Sequence, residues 1–308
     1  MPYDVRDPRS TLPTIASRVP AGTAFSPAEY VRFEEEPPAV IHESRRSWYA
    51  RGQHFVLEYS DIGGETVLER TEQHDEYMLL LPDGSTTGRV RTDSETVDVP
   101  GRSLVVVPPG ASSITVNGSG RVIRLLTSRA TDLAMLASNA DSYRDDHLNL
   151  APLQAWPEPP DGFRVRVYDL SAPTLESPKF RLYRCTTLMV NFFDPSDGPR
   201  DTTRLSPHSH DDFEQCSLVL AGEWVHHIRW PWTTDLASWR EDEHAVCGAP
   251  SVTVIPAQAI HTSQSISAGR NHLIDIFAPP REDFSARGWV LNADDYPMRP
   301  TSASTPMP

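Results

Sequence analysis

The sequence predicts an all-β chain: two tandem, duplicated β-domains joined by a short helical linker. Three observations carry that prediction. Short apolar runs set off by Gly, Pro, Asp and Ser recur along most of the 308 residues. Proline is abundant, at 29 residues, which favours many short strands and turns over long helices. Two blocks of sequence also recur in the same order. ERTEQHDEYMLLLPDG (69–84) lies over PHSHDDFEQCSLVLAG (207–222), with Glu76 on Glu214 and Gly84 on Gly222 at an offset of 138. GRSLVVVPPGASS (101–113) lies over GAPSVTVIPAQAIH (248–261), with Pro108 on Pro256 and Ser113 on His261 at an offset of 148. The extra residues fall in WPWTTDLASWREDEH, between the blocks of the second copy.

The elements follow in order. Residues 1–45 are Pro-rich and read as an irregular arm. HFVLEYS, YMLLL, SLVVVPPG and RVIRLLTS are short β-type runs that place a first domain at 46–135. RATDLAMLASNADSYRDD (129–146) is the best helix candidate and PLQAWPEPPDG (152–162) reads as a linker, so 136–163 connects the halves. FRVRVYDL, FRLYRCTTLMVNFF, QCSLVLAG, EWVHHIRW, SVTVIPAQ and HLIDIFAPP build a second domain at 164–284. Residues 285–308, ending RPTSASTPMP, read as a tail.

A formal net charge of -14 with no Lys/Arg-rich run argues against nucleic acid or anionic membrane as a partner. Cys185, Cys216 and Cys247 include no CxxC pair and do not form a disulfide framework. The first twenty residues lack an apolar core, and no apolar run approaches the roughly 20 residues that span a bilayer. A cytoplasmic location is the expectation, and a homodimer is expected because open sheet edges need covering.

The stretch SPHSHDDFEQCSLVLAG carries the chemistry. Read as a strand, His208, His210 and Glu214 share one face, and Cys216, Leu218 and Leu220 continue it as an apolar wall before the turn at Gly222. Read as a helix, the two histidines would stand about 200° apart. Imidazoles with a carboxylate suit iron(II), zinc, manganese or nickel, and His261 offers a further ligand.

These two blocks resemble the paired motifs of the cupin superfamily: HxH, three or four residues, Glu, a short strand and Gly; then Gly, a strand and Pro followed five residues later by His. The resemblance implies a bicupin, two jelly-roll barrels, with one metal held by His208, His210, Glu214 and His261 in the second. Gln258 stands where the motif has Gly, and Ser265 where it has Asn. In the first copy the four ligand positions are Arg70, Glu72, Glu76 and Ser113. Arginine repels a cation, so that barrel is expected to be metal-free. Arg70 and Glu76 could pair internally or bind a small polar ligand, the structural pairing being preferred. His74 reads as a solvated turn residue.

Such a site leaves coordination positions open, which suits catalysis on a small molecule. Arg184 is the candidate carboxylate clamp if it faces inward, with Asn191 on the opposite parity. EWVHHIRW puts Trp224 and His226 on one face and His227 and Arg229 on the other; His226 is the first candidate for a proton shuttle. Trp230, Trp232 and Trp239 form a lid or a subunit contact, the contact being preferred. The leading expectation is a mononuclear iron(II) dioxygenase acting on an aromatic or dicarbonyl substrate. The alternatives are a metal-dependent sugar-acid isomerase, whose bicupin members have a similar layout, and a non-catalytic small-molecule binder.

Overall fold

A computed structural model describes residues 23–147, 149–171 and 180–298. The expected tail beyond 298 lies outside them, as does the start of the arm. Two β-barrels account for almost all of the described chain. The first contains the long strand Gly110–Thr127, which bridges both layers by pairing with Phe55–Gly63 and Tyr77–Leu81 on one side and with Thr66–Gln73 and Thr86–Thr92 on the other. The second sets Met189–Phe193, Arg270–Phe277, Gln215–Ala221 and Ser251–Ile255 against a three-stranded sheet of Glu243–Gly248, Glu223–Arg229 and Ile260–Ser265. No helix among the described residues is long and apolar enough to cross a membrane.

The unbroken apolar runs are explained by burial of both strand faces. In Tyr77–Leu81, Tyr77, Leu79 and Leu81 fill the first barrel, while Met78 and Leu80 join a core between the barrels. Ser103–Val107 does the same, with Val105 and Val107 inward and Leu104 and Val106 toward the other barrel. The second barrel contributes Cys216, Leu218 and Leu220 to that shared core. This corrects the expected inner wall: those three side chains face the first barrel, and Gln215, Ser217 and Val219 alternate with them toward their own barrel's interior.

The expected domain boundaries also change. Glu29–Arg32, from the supposed arm, pairs antiparallel with Ser251–Ile255 of the second barrel. Arg166–Asp169, expected to open the second domain, pairs antiparallel with Ser103–Val107 of the first. The exchange is reciprocal, and it covers one sheet edge of each barrel within the chain. The single helix expected at 129–146 is instead Thr131–Ala134 followed by a turn of 3-10 helix at Ala140–Tyr143. Asn139 stands between them because its side chain pairs both backbone groups of Arg51, at 2.9 and 2.8 Å. Gly222 makes the expected turn at φ +79°, where a Cβ would lie 2.2 Å from Asn271 Oδ1.

The glutamates shared by the two copies also span the barrels. Glu76 accepts hydrogen bonds from Thr186 N, Thr186 Oγ1 and Tyr296 OH of the second barrel, at 3.0, 2.8 and 2.8 Å. Glu214 accepts from Gln53 N of the first barrel at 2.7 Å and meets His147 Nδ1 at 3.1 Å. Gln53 and Thr186 occupy matching turns, closed by Gly52 N to Phe55 O and by Cys185 N to Leu188 O. The expected Arg70–Glu76 pair is therefore not formed: Arg70 donates to both carboxylate oxygens of Asp132, at 2.6 and 3.0 Å. Removing Glu76 strands three donors in a buried contact. Glu76→Ala is expected to cost about 3 kcal/mol in denaturant unfolding, and Glu76→Gln less, because an amide oxygen still accepts. Equal stability of both variants and the parent would refute the clamp.

Candidate metal centre

His208, His210 and His261 converge, with one ring nitrogen of each within 4.8 Å of the others. Three backbone features bring them together. His208 and His261 form an antiparallel bridge, with N to O distances of 3.1 and 2.8 Å in its two hydrogen bonds. Gln258 N donates to His210 O at 2.5 Å. Gln258 makes that bond from a left-handed conformation, φ +68°, so the position keeps the backbone shape that the motif normally gives to glycine.

Glu214 does not join the histidines. The strand argument fails here because the chain bends at Asp211 and Asp212, and Gln215–Ala221 begins only after Glu214. Glu214 then has the parity of Cys216 and leaves toward the first barrel, while Gln215 turns inward. A Cβ on Gly52 would lie 2.7 Å from Glu214 Oε2, so glycine there makes room for the carboxylate. The motif's alternative spacing of four residues lands on Gln215, the signal that could have found it.

Gln215 Oε1 lies 2.9 Å from His210 Nε2 and 3.3 Å from His261 Nε2. Its Nε2 donates to Ser217 Oγ at 3.1 Å and to Asp275 Oδ1 at 3.0 Å, which points the amide oxygen at the imidazoles. His208 Nδ1 donates to Ser206 O and His261 Nδ1 to Ala259 O, each at 2.9 Å. Those bonds leave the Nε2 atoms with lone pairs. Burial holds His210 and His261 neutral, lowering them to about 2 and about 3. The lone pairs of His261 Nε2 and Gln215 Oε1 therefore face each other, a contact that a cation between them would relieve. Three imidazole nitrogens and one amide oxygen fit a divalent first-row metal.

The site opens into a cavity of about 860 Å³, whose lining includes Arg200, Trp224, Ser263, Leu273 and Asp275 with His208, Gln215 and His261. Burial pushes the Asp275 carboxyl up to about 6. His226 faces inward, its Nδ1 2.9 Å from Ser263 Oγ and its Nε2 without a hydrogen-bond partner among the described residues; burial lowers it to about 3. Arg184 is elsewhere. It lies over the Trp156 ring at 4.8 Å and donates to Ser285 Oγ and Tyr296 O, tying down the C-terminal segment rather than lining the cavity. Asn191 is buried beside Asp275 in the sheet register. Trp232 and Trp239 stack at 4.3 Å on the exposed outer surface, while Trp230 is buried against Phe25 and Ile228.

In the first barrel the matching residues are placed differently. Arg70 and Asp132 pair at its surface, Glu72 is exposed and Glu76 crosses to the other barrel. Tyr77 fills the position of Gln215, with its OH 2.9 Å from Ser112 Oγ.

The Glu214–His147 contact has a pH signature. The hydrogen bond to Glu214 raises the His147 pKa. A raised folded-state value stabilises fully below the unfolded value of about 6.5, and the contribution is lost as pH rises through the folded value. Melting temperature is expected to fall over that window in the parent and to flatten in Glu214→Gln; parallel profiles would exclude the linkage.

No protein-family model matches the chain, and no curated protein matches it. Solved structures do. Oxalate decarboxylase from Bacillus subtilis, in a study of its Mn(II) centres, is similar at 11% identity and a TM-score of 0.55, covering 85% of this chain and 79% of that one. The Lactobacillus farciminis oxalate decarboxylase formate complex is similar at 12% identity and 0.54, covering 85% and 88%. AerE from Microcystis aeruginosa is similar at 11% identity and 0.51, covering 83% and 99%. The chain thus shares the fold of these proteins, two β-barrels in one polypeptide, which is the bicupin arrangement that its motifs imply.

Proposed function

We propose that the second barrel is the active site of a metal-dependent enzyme, and that its reaction is iron(II)-dependent oxidative cleavage of a small anion that chelates through two oxygens, such as a hydroxybenzoate or a diketonate. The observation that carries this reading is the neutral donor set. His208, His210, His261 and Gln215 supply no carboxylate, so a bound divalent ion keeps its full charge and an anionic chelate offsets it. Arg200 supports the same substrate class. Its guanidinium lines the cavity and donates to Ser263 O, Ser206 Oγ and Arg204 O, all neutral acceptors. Iron(II), when bound, would supply the activation of oxygen. The chain's own contribution is placement: Arg200 orients the anion, Trp224 and Leu273 flank its apolar body, and Gln215, held by Asp275, keeps the donor set in shape.

Metal-dependent decarboxylation is the second reading, favoured by the half-buried carboxyl of Asp275 on the cavity wall and by the oxalate decarboxylases that share the fold. Elemental analysis of anaerobically purified protein comes first, then oxygen uptake with hydroxybenzoates, catechols and diketones. Iron-dependent uptake supports the dioxygenase; iron-loaded protein that consumes no oxygen sinks it. Carbon dioxide released from oxalate without that uptake moves the assignment to the second reading.

A further inference from the structure

A second pair of imidazoles stands on the outer wall of the second barrel. His227 and His244 are directly opposite in the antiparallel ladder between Glu223–Arg229 and Glu243–Gly248. The parity that turns His226 inward turns both outward. Their Nδ1 atoms are 2.8 Å apart and their ring centroids 4.9 Å. His227 Nε2 lies 3.1 Å from Gln264 Oε1, which accepts, so the hydrogen of His227 is on Nε2 and a lone pair on Nδ1 points at His244. Asp242, paired with Arg229, and Thr262 line the same recess, of about 160 Å³, together with His261, whose ring nitrogens meet Ala259 O and Gln215 Oε1 instead.

We propose that His227 and His244 chelate a divalent cation through their Nδ1 atoms, at a site separate from the triad. In the free pair the His244 hydrogen sits between the two nitrogens. On binding it moves to Nε2 of the exposed His244 ring, and both rings turn so that their Nδ1 lone pairs leave each other and converge on the ion. Nitrogens at this spacing subtend about 90° at a metal about 2.0 Å from each. That angle suits tetragonal or octahedral nickel(II) and copper(II) rather than tetrahedral zinc. Water completes the coordination, and Gln264 fixes the tautomer from behind. Nothing here depends on the reaction of the inner site.

The test is nickel uptake by the full-length, untagged chain, measured by calorimetry and by metal analysis after gel filtration. The parent should take up one ion at the triad and one at the outer pair. His208→Ala should keep the outer ion. His244→Ala and His227→Ala should each lose it, and Gln264→Leu should weaken it about tenfold. His244→Gln, a polar replacement at an exposed position, guards against misfolding of the alanine variant, with circular dichroism as the check. Uptake unchanged in folded His244→Gln, or no nickel left on His208→Ala, overturns the site.

Discussion

His261→Ala is expected to lose the metal of the triad, while Glu214→Gln retains it. The contrast follows from the direction of two neighbouring side chains. His261 is buried with Nε2 facing the other two imidazoles, and its loss removes one donor of a set that has no carboxylate to compensate. Glu214 spends its oxygens on Gln53 N and His147. Gln215→Ala should weaken metal binding by about 10- to 100-fold, whether the amide touches the ion or only holds His210 and His261 in place. Metal content after dialysis against a weak chelator separates the variants. If Glu214→Gln loses metal as His261→Ala does, the assignment of Gln215 to the site is wrong. Turnover, once a substrate is known, should fall to background in His261→Ala.

Arg124→Met is expected to destabilise the first barrel by about 3–5 kcal/mol, and Glu58→Leu combined with it should restore much of that loss. Arg124 and Glu58 sit opposite each other on neighbouring strands and both point into the barrel, with Arg124 Nε 2.6 Å from Glu58 Oε2. Burial opposes ionisation of Glu58, but Arg124 beside it holds the carboxyl below the usual range. Removing the arginine leaves a buried charge unpaired, whereas replacing both sets Met and Leu among the apolar side chains of the first barrel's core. Ser60 keeps Ser47 Oγ as a partner at 2.7 Å in the double variant, and Tyr49 OH alone loses its acceptor. Urea unfolding of the three variants measures the cycle. A double variant as unstable as the single one would mean that the ion pair specifies the barrel rather than filling it.

The pair also shows what differs between the copies. The second barrel has Asp275 and Asn191 opposite each other on its inner face, beside Ser217 and around a cavity. The first has Arg124 and Glu58 there, with Leu79 at the Ser217 position, inside a packed apolar core. One duplicated frame thus supports a filled barrel and a hollow one. The repeat was legible because strand runs and turn residues keep a constant offset. The hollowing was not, because it depends on which face of each strand turns inward.

Some losses have identifiable causes. Strict alternation from His208 to Leu220 ignored the bend at Asp211 and Asp212, so every residue after it was assigned to the wrong face. Arg184 looked like a free clamp because nothing local reveals its stacking on Trp156 or its bonds to Ser285 and Tyr296, about a hundred residues away. The arm reading of Glu29–Arg32 and the second-domain reading of the FRVRVYDL strand fail because Glu29–Arg32 and Arg166–Asp169 each pair with the more distant barrel.

What the sequence determined by itself is the all-β class, the duplication and the three histidines, because period, turn chemistry and ligand type are local properties of the chain. What only the tertiary structure decided is the fourth position and the partner of each glutamate. Those depend on strand phase and on contacts between barrels. A shift of one residue in phase sends Glu214 across the interface and Gln215 into the site, and no local pattern encodes that exchange.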